Sequence, residues 1–154
     1  MNQAHIHLIV NHVPIVGSLF ALILLGVGVL RQNDTLTQAG LVAVLAAGLL
    51  CLPAQLTGEG AAAIVQDMPR VSRALIANHA AAAELAFWVL ESAAALALFG
   101  LLLRKNQSPK ARLLALLTLL AAVLSFGLLA RAGNLGGQIR HTEIRDGFGT
   151  PDEL

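Results

Sequence analysis

The sequence has few charged residues, and they are unevenly distributed. Asp, Glu, Lys and Arg make up 12% of its 154 residues, whereas a soluble domain usually carries about 25%. No charged side chain occurs before Arg31. This shortage excludes an ordinary water-soluble domain, and the net charge of +1 gives no reason to expect a nucleic-acid partner.

Cysteine is nearly absent, and so is positive charge near the amino terminus. Cys51 is the only cysteine, which excludes both an intramolecular disulfide and a Cys-x-x-Cys-His attachment site for covalent c-type haem. A cleavable signal peptide begins with a positively charged region, but no Lys or Arg precedes the first apolar segment. We therefore expect that segment to remain in the membrane.

The sequence is rich in apolar residues, which amount to 56% of the chain and form four runs with few charges. Because a helix needs about 20 predominantly apolar residues to cross the hydrocarbon core, each run can form one span. The sequence predicts a single domain over residues 1–154, an all-α integral membrane bundle of four helices in up-down-up-down order. The expected spans and the polar tail cover about 5–30, 35–57, 74–103, 111–133 and 142–154.

Local signals predict where the helices begin and end. Asn33 and Ser108 are of the residue types that cap helix N-termini, so we expect them to start the second and fourth helices. A third helix is expected to start near Asp67. Glycines at 58–60 and 133–137 predict the ends of the second and fourth helices.

Loop charges predict the orientation of the bundle. The loop between the third and fourth helices contains four basic residues and no acidic one, namely Arg104, Lys105, Lys110 and Arg112. Basic residues concentrate in short cytoplasmic loops. We therefore expect this loop in the cytoplasm of a bacterium and both termini on the periplasmic side of the inner membrane.

In this topology all five histidines lie at one end of the bundle. His5, His7 and His12 are at the start of the first span, His79 opens the third span, and His141 follows the fourth. Imidazole is the commonest protein ligand of transition metals and a common ligand of haem iron. The sequence therefore predicts a metal or haem site at this end.

His12 and His79 are the expected axial pair. The first and third helices of such a bundle are diagonal and run in the same direction, which lets these two side chains face each other. His7 is roughly 140° around the helix from His12, so we expect it to bind a second haem or another metal together with His141. Anchoring at the membrane interface remains the alternative for each histidine.

Other polar residues near this end have candidate roles. Arg131 is a candidate partner of a haem propionate, and interfacial snorkelling is the alternative. Glu84 and Glu91 share one stripe of the third helix. Since carboxylates inside the membrane are costly and often functional, Glu91 is a candidate proton-relay group, or else a hydrogen-bonded core residue. Glu59 is a candidate additional ligand for a non-haem metal.

The order of these motifs resembles a known family. The segment from His7 to Pro14 resembles the His-x4-His-hydrophobic-Pro opening of small bacterial four-helix membrane proteins of the domain-of-unknown-function 2231 type. Further similar motifs are the Thr57-Gly58-Glu59 segment, His79 at the start of the third helix, and Leu135-Gly136-Gly137 followed by His141. Two positions depart from the family pattern, because Leu8 stands where Pro is frequent and Val13 where Phe is usual. The resemblance implies a membrane b-type cytochrome, sometimes found with cupredoxin or cytochrome c partners.

We therefore expect a membrane b-type cytochrome with one or two haem b groups, whose iron is bound by His7, His12, His79 and His141. It would pass electrons from a quinol or another membrane donor to a periplasmic cupredoxin or cytochrome c. An electron-transfer protein or a redox-complex subunit is favoured over a stand-alone enzyme, since no phosphate-binding loop or nucleophile–base pair is evident. The alternatives are a copper- or zinc-binding sensor or transporter, and a structural assembly subunit. A homodimer is compatible with the sequence.

Overall fold

The computed structural model describes residues 1–145 and confirms the all-α four-helix bundle, with no strand in that range. The first membrane-length helix consists of two segments, α1 and α2, and three uninterrupted helices follow. The elements are α1 (Gln3–Val10), α2 (His12–Leu30), α3 (Asp34–Val65), α4 (Arg73–Lys105), α5 (Ala111–Arg140) and a short 3-10 turn (Thr142–Ile144). Most of the predicted polar tail lies outside the described residues.

The helices occupy the corners of a square. α2 packs against α3 and α5, α4 packs against the same two helices, and α2 makes no contact with α4. α1 extends the first membrane-length helix beyond the start of α2 and packs mainly on α3. The first and third spans are therefore diagonal, as expected for an up-down-up-down bundle.

All four helices are long and apolar enough to cross a membrane, which is compatible with a multi-pass membrane protein. They contain 28 to 33 residues, or about 42 to 50 Å of helix, and therefore exceed a hydrocarbon core of about 30 Å. A hydrocarbon core with one boundary at Arg31, Arg104 and Arg112 would have its other boundary near Glu84 and Arg131, which are about 20 residues away on α4 and α5.

This placement defines the two ends of the bundle, which we name the basic end and the histidine end. The basic end is defined by Arg31, Asp34 and the four basic residues at positions 104–112. The histidine end comprises the helical turns beyond the opposite boundary. These are residues 3–10, 59–65, 73–83 and 132–140.

Small residues let the helices approach closely. A Cβ at Gly40 would lie 2.5 Å from the Leu25 Cα, so the backbones of α2 and α3 touch there. Alanines dominate the buried positions of α4 and α5, and Cys51 is an ordinary buried core residue. Four buried hydroxyls donate to backbone carbonyls three or four residues earlier, from Ser18, Thr37, Thr118 and Ser125. This combination is typical of helices packed in a membrane.

The predicted glycine breaks are wrong. α3 continues through Gly58 and Gly60, and α5 continues through Gly136, because a glycine inside a helix costs only about 1 kcal/mol. Packing against neighbouring side chains offsets this cost. A Cβ at Gly60 would overlap the Gln3 amide of α1, and one at Gly136 would press on the His79 ring. These glycines permit close contacts within helices rather than ending them.

Two of the three predicted helix starts also need correction. Asn33 caps α3 as expected, since its side chain accepts a hydrogen bond from the Leu36 amide. α4, however, begins at Arg73 after a turn over residues 66–72 in which Arg70 has a φ of 63°. Ser108 lies in the turn before α5, where its carbonyl accepts from the amide of Ala111. In both cases the chain first needs a turn to reverse direction.

The first span is interrupted at Asn11, between α1 and α2. Pro14 has no backbone N–H, so the Val10 carbonyl has no helical donor four residues later. The interruption separates the histidines before it from His12, which opens the next segment.

Candidate metal centre

The structure brings two of the histidines together at the histidine end. His7 on α1 and His79 on α4 have ring centroids 6.4 Å apart, with their planes inclined at 78°. Both rings are partly buried. The two side chains come from diagonal corners of the bundle and meet between α3 and α5.

Each imidazole is held by a backbone carbonyl of a neighbouring helix. The His7 Nδ1 lies 3.1 Å from the Ala54 carbonyl of α3, and the His79 Nδ1 lies 2.9 Å from the Ala132 carbonyl of α5. Because a carbonyl oxygen only accepts, Nδ1 carries the hydrogen in both rings. In the neutral imidazoles this leaves the Nε2 lone pair for a ligand.

Thr57 reinforces the tautomer of His7. Its hydroxyl donates to the Pro53 carbonyl at 2.7 Å, and its oxygen lies 3.1 Å from the His7 Nδ1. The hydroxyl proton is thus engaged, so the oxygen accepts from His7. Metal-binding histidines commonly have such an acceptor for their other ring nitrogen.

The carbonyls are accessible because a glycine follows each of them one helical turn later. Ala54 is followed by Gly58, and Ala132 by Gly136. A helical side chain leans toward the turn before it, so any side chain at Gly136, or one longer than that of Ala at Gly58, would crowd the carbonyl below. A Cβ would lie 3.8 Å from the His7 ring at Gly58 and 3.0 Å from the His79 ring at Gly136.

The separation of the rings suits a shared metal ion. Nitrogens about 2 Å from an ion on opposite sides place the two ring centres about 6 Å apart, close to the observed 6.4 Å. The donor set of two neutral imidazoles fits haem iron, whose remaining ligands come from the macrocycle. A structural zinc ion usually takes four protein ligands, and no group of three or more His, Cys, Asp or Glu residues is assembled within residues 1–145.

The other histidines are placed elsewhere. His5, His12 and His141 are exposed, and among the described residues the one ring contact between histidines is that of His7 with His79. The His141 Nδ1 instead lies 2.8 Å from a Glu143 carboxylate oxygen. The backbone N–H of Glu143 and the His141 imidazole lower the pKa of this exposed carboxyl. The structure therefore brings together neither His12 with His79 nor His7 with His141, which are the two pairs expected from the sequence.

The remaining candidates lie apart from the ring pair. Glu59 and Glu84 are exposed. Arg131 is also exposed and lines an outward-facing groove of about 430 Å³ with Asn78 and Leu85. Glu91 is partly buried deeper in the bundle, where a Cβ on Gly48 would lie 3.5 Å from its Oε1. That oxygen is inaccessible and has no hydrogen-bond partner among the described residues.

Comparison with known proteins adds no further assignment. No family model matches the chain, and no curated protein or solved structure shows significant similarity to it. The resemblance to the domain-of-unknown-function 2231 proteins stays a prediction.

Proposed function

We propose that this protein is a membrane electron carrier in which His7 and His79 would hold the iron of one haem b. The observation that supports this most directly is the pair of imidazoles whose ring centroids lie 6.4 Å apart, each hydrogen-bonded through Nδ1 to a backbone carbonyl. When bound, haem supplies a one-electron couple between ferric and ferrous iron.

The residues around the pair have definable tasks in this proposal. Hydrogen bonds to the Ala54 and Ala132 carbonyls orient the rings and make Nε2 a better donor to iron. Gly136 avoids a Cβ that would lie 3.0 Å from the His79 ring. His12 and His141, which are exposed, are assigned to the membrane interface and the aqueous surface rather than to a second haem.

The location of the pair suggests the direction of electron flow. His7 and His79 lie in turns beyond a 30 Å hydrocarbon core that starts at the basic end. With the basic loop in the cytoplasm, the pair lies on the periplasmic side of a bacterial inner membrane. This placement favours a quinol or other membrane donor and a periplasmic acceptor such as a cupredoxin or cytochrome c.

The alternative supported by a specific observation is a copper site. Monovalent copper accepts as few as two imidazole ligands, and only two histidines converge within residues 1–145. Zinc is less suited to this donor set.

The absorption spectrum of protein purified from membranes tests the proposal. We expect a Soret band that sharpens and shifts on reduction with dithionite, with a pyridine haemochrome assay giving one haem per chain. A colourless protein that contains copper by elemental analysis would support the alternative. Absence of both haem and copper would contradict both assignments.

The orientation is tested separately with reporter fusions. Alkaline phosphatase fused after Leu154 should be active, and the same enzyme fused at Gln107, in the loop between α4 and α5, should be inactive. Green fluorescent protein at these two sites serves as the converse control, because it fluoresces when it remains in the cytoplasm. Phosphatase activity only at Gln107 would place the histidine end in the cytoplasm.

A further inference from the structure

The basic end contains a cleft that the electron-transfer proposal does not use. It has a volume of about 730 Å³ and lies between the first turn of α3, the last turns of α4 and the start of α5. Its charged lining residues are Asp34, Arg104, Lys105 and Arg112, and Leu101 and Leu102 line its apolar side. The cleft is thus basic at the membrane surface and apolar toward the hydrocarbon.

The positive charge of the cleft is only partly neutralised within the chain. Arg104 donates to the Asp34 carboxylate at 2.7 Å and to the Asp34 carbonyl at 3.0 Å. This pairing fixes Arg104, whose side chain is 20% exposed, and uses the one acidic residue of the lining. Lys105 and Arg112 are exposed and form no ion pair among the described residues. The cleft therefore presents two exposed cations, Lys105 and Arg112, beside a third that is held in an ion pair.

The backbone supports an anion at the same place. α5 starts at Ala111, which lines the cleft, and its N-terminus has no side-chain cap. The Ala111 amide donates to the Ser108 carbonyl, but the amides of the first turn of a helix still carry partial positive charge. They add to the field of Lys105 and Arg112.

The apolar side of the cleft indicates an amphiphile rather than a soluble anion. Leu102 is 48% exposed and lies within one helical turn of Lys105 on α4. An acyl chain covering Leu102 holds its headgroup at the level of the basic side chains. Basic pockets between transmembrane helices are known sites for acidic lipid headgroups.

We infer that this cleft binds an anionic phospholipid of the leaflet at the basic end, with its phosphate between Lys105 and Arg112 and one acyl chain along Leu102. The groove at Arg131 is a weaker candidate for such a lipid, because it contains a single basic residue. The site is independent of the His7–His79 pair, which lies at the opposite end of the bundle.

Native mass spectrometry of the delipidated full-length protein tests this inference. The probes are phosphatidylglycerol, phosphatidylcholine and inorganic phosphate, each titrated into the wild type and two double variants. One variant, Lys105→Gln with Arg112→Gln, removes the exposed cations of the cleft. The control, Arg31→Gln with Lys110→Gln, removes the same charge from basic-end residues that do not line the cleft.

We expect the cleft variant to bind phosphatidylglycerol about 30-fold more weakly than the wild type, since each basic side chain near the phosphate strengthens binding about fivefold. The control should stay within about twofold, because charges further away are screened. Phosphatidylcholine should bind weakly to all three proteins. Equal loss of affinity in both variants, or no loss in the cleft variant, would overturn the assigned site. Full competition by inorganic phosphate would show a soluble-anion site and reject the phospholipid.

Discussion

Replacing either His7 or His79 by Ala is expected to abolish the low-spin, six-coordinate haem spectrum. Each substitution removes one of the two imidazoles whose ring centroids lie 6.4 Å apart. A haem that keeps a single axial histidine becomes five-coordinate and high-spin, or is lost during purification. The change should be nearly complete in each single variant, and the double variant should contain no haem.

His12→Ala is the matched control for this experiment. His12 is on the same membrane-length helix as His7 but is exposed, so its removal should leave the haem content and the Soret band unchanged. His5→Ala and His141→Ala should behave in the same way. The readouts are the haem-to-protein ratio, the Soret position and the electron paramagnetic resonance signal of the oxidised protein. Loss of haem from His12→Ala, with retention in His7→Ala, would support the pair expected from spacing alone and reject the His7–His79 pair.

The bundle itself could be predicted from the sequence because membrane insertion imposes a simple pattern. Charge-free runs of about 20 residues admit few interpretations, and short connections make consecutive helices neighbours. The diagonal placement of the first and third spans followed from these two rules. Thus the sequence was sufficient to predict that a histidine of the first helix meets His79 at one end.

Which histidine of the first helix does so could not be predicted from spacing. His7 and His12 are roughly 140° apart on a continuous helix, so only one of them can face the bundle interior. The rotation of the helix depends on how α1 docks on α3, where Gly60 makes room for Gln3. This docking is a packing effect between residues distant in sequence.

Glycine is an ambiguous signal in this sequence. Gly58 and Gly136 suggested helix ends, yet each sits one turn after an alanine whose carbonyl accepts from a histidine. The Ala-x-x-x-Gly spacing occurs on both α3 and α5, so the two imidazoles are held by equivalent means. A glycine within a long apolar run indicates close approach of another group as readily as a helix end.

The second large effect is expected at Gly136. Gly136→Ala should weaken haem binding about 10- to 100-fold, which is the usual cost of disturbing an outer-shell partner of a metal ligand. The new Cβ would lie 3.0 Å from the His79 Cε1 and 3.1 Å from its Nδ1. The ring must move away, and its hydrogen bond to the Ala132 carbonyl lengthens. His79 itself is unchanged, so a loss of haem affinity would be caused by a change in the orientation of its ring and not by removal of the ligand.

Gly58→Ala provides the matched comparison, because the equivalent Cβ on α3 would lie 3.8 Å from the His7 ring, an ordinary contact distance. Its haem affinity should stay close to that of the wild type. Both substitutions favour the helical state by up to about 1 kcal/mol, so thermal unfolding of the haem-free proteins should show no loss of stability specific to Gly136→Ala. The measurements are haem titration of the apoproteins and the reduction potential of the loaded forms. Equal haem affinities for the two variants would mean that the Ala132 carbonyl does not orient His79. A loss of affinity in Gly136→Ala alone would support the proposal that α5 positions His79 through the Ala132 carbonyl and Gly136.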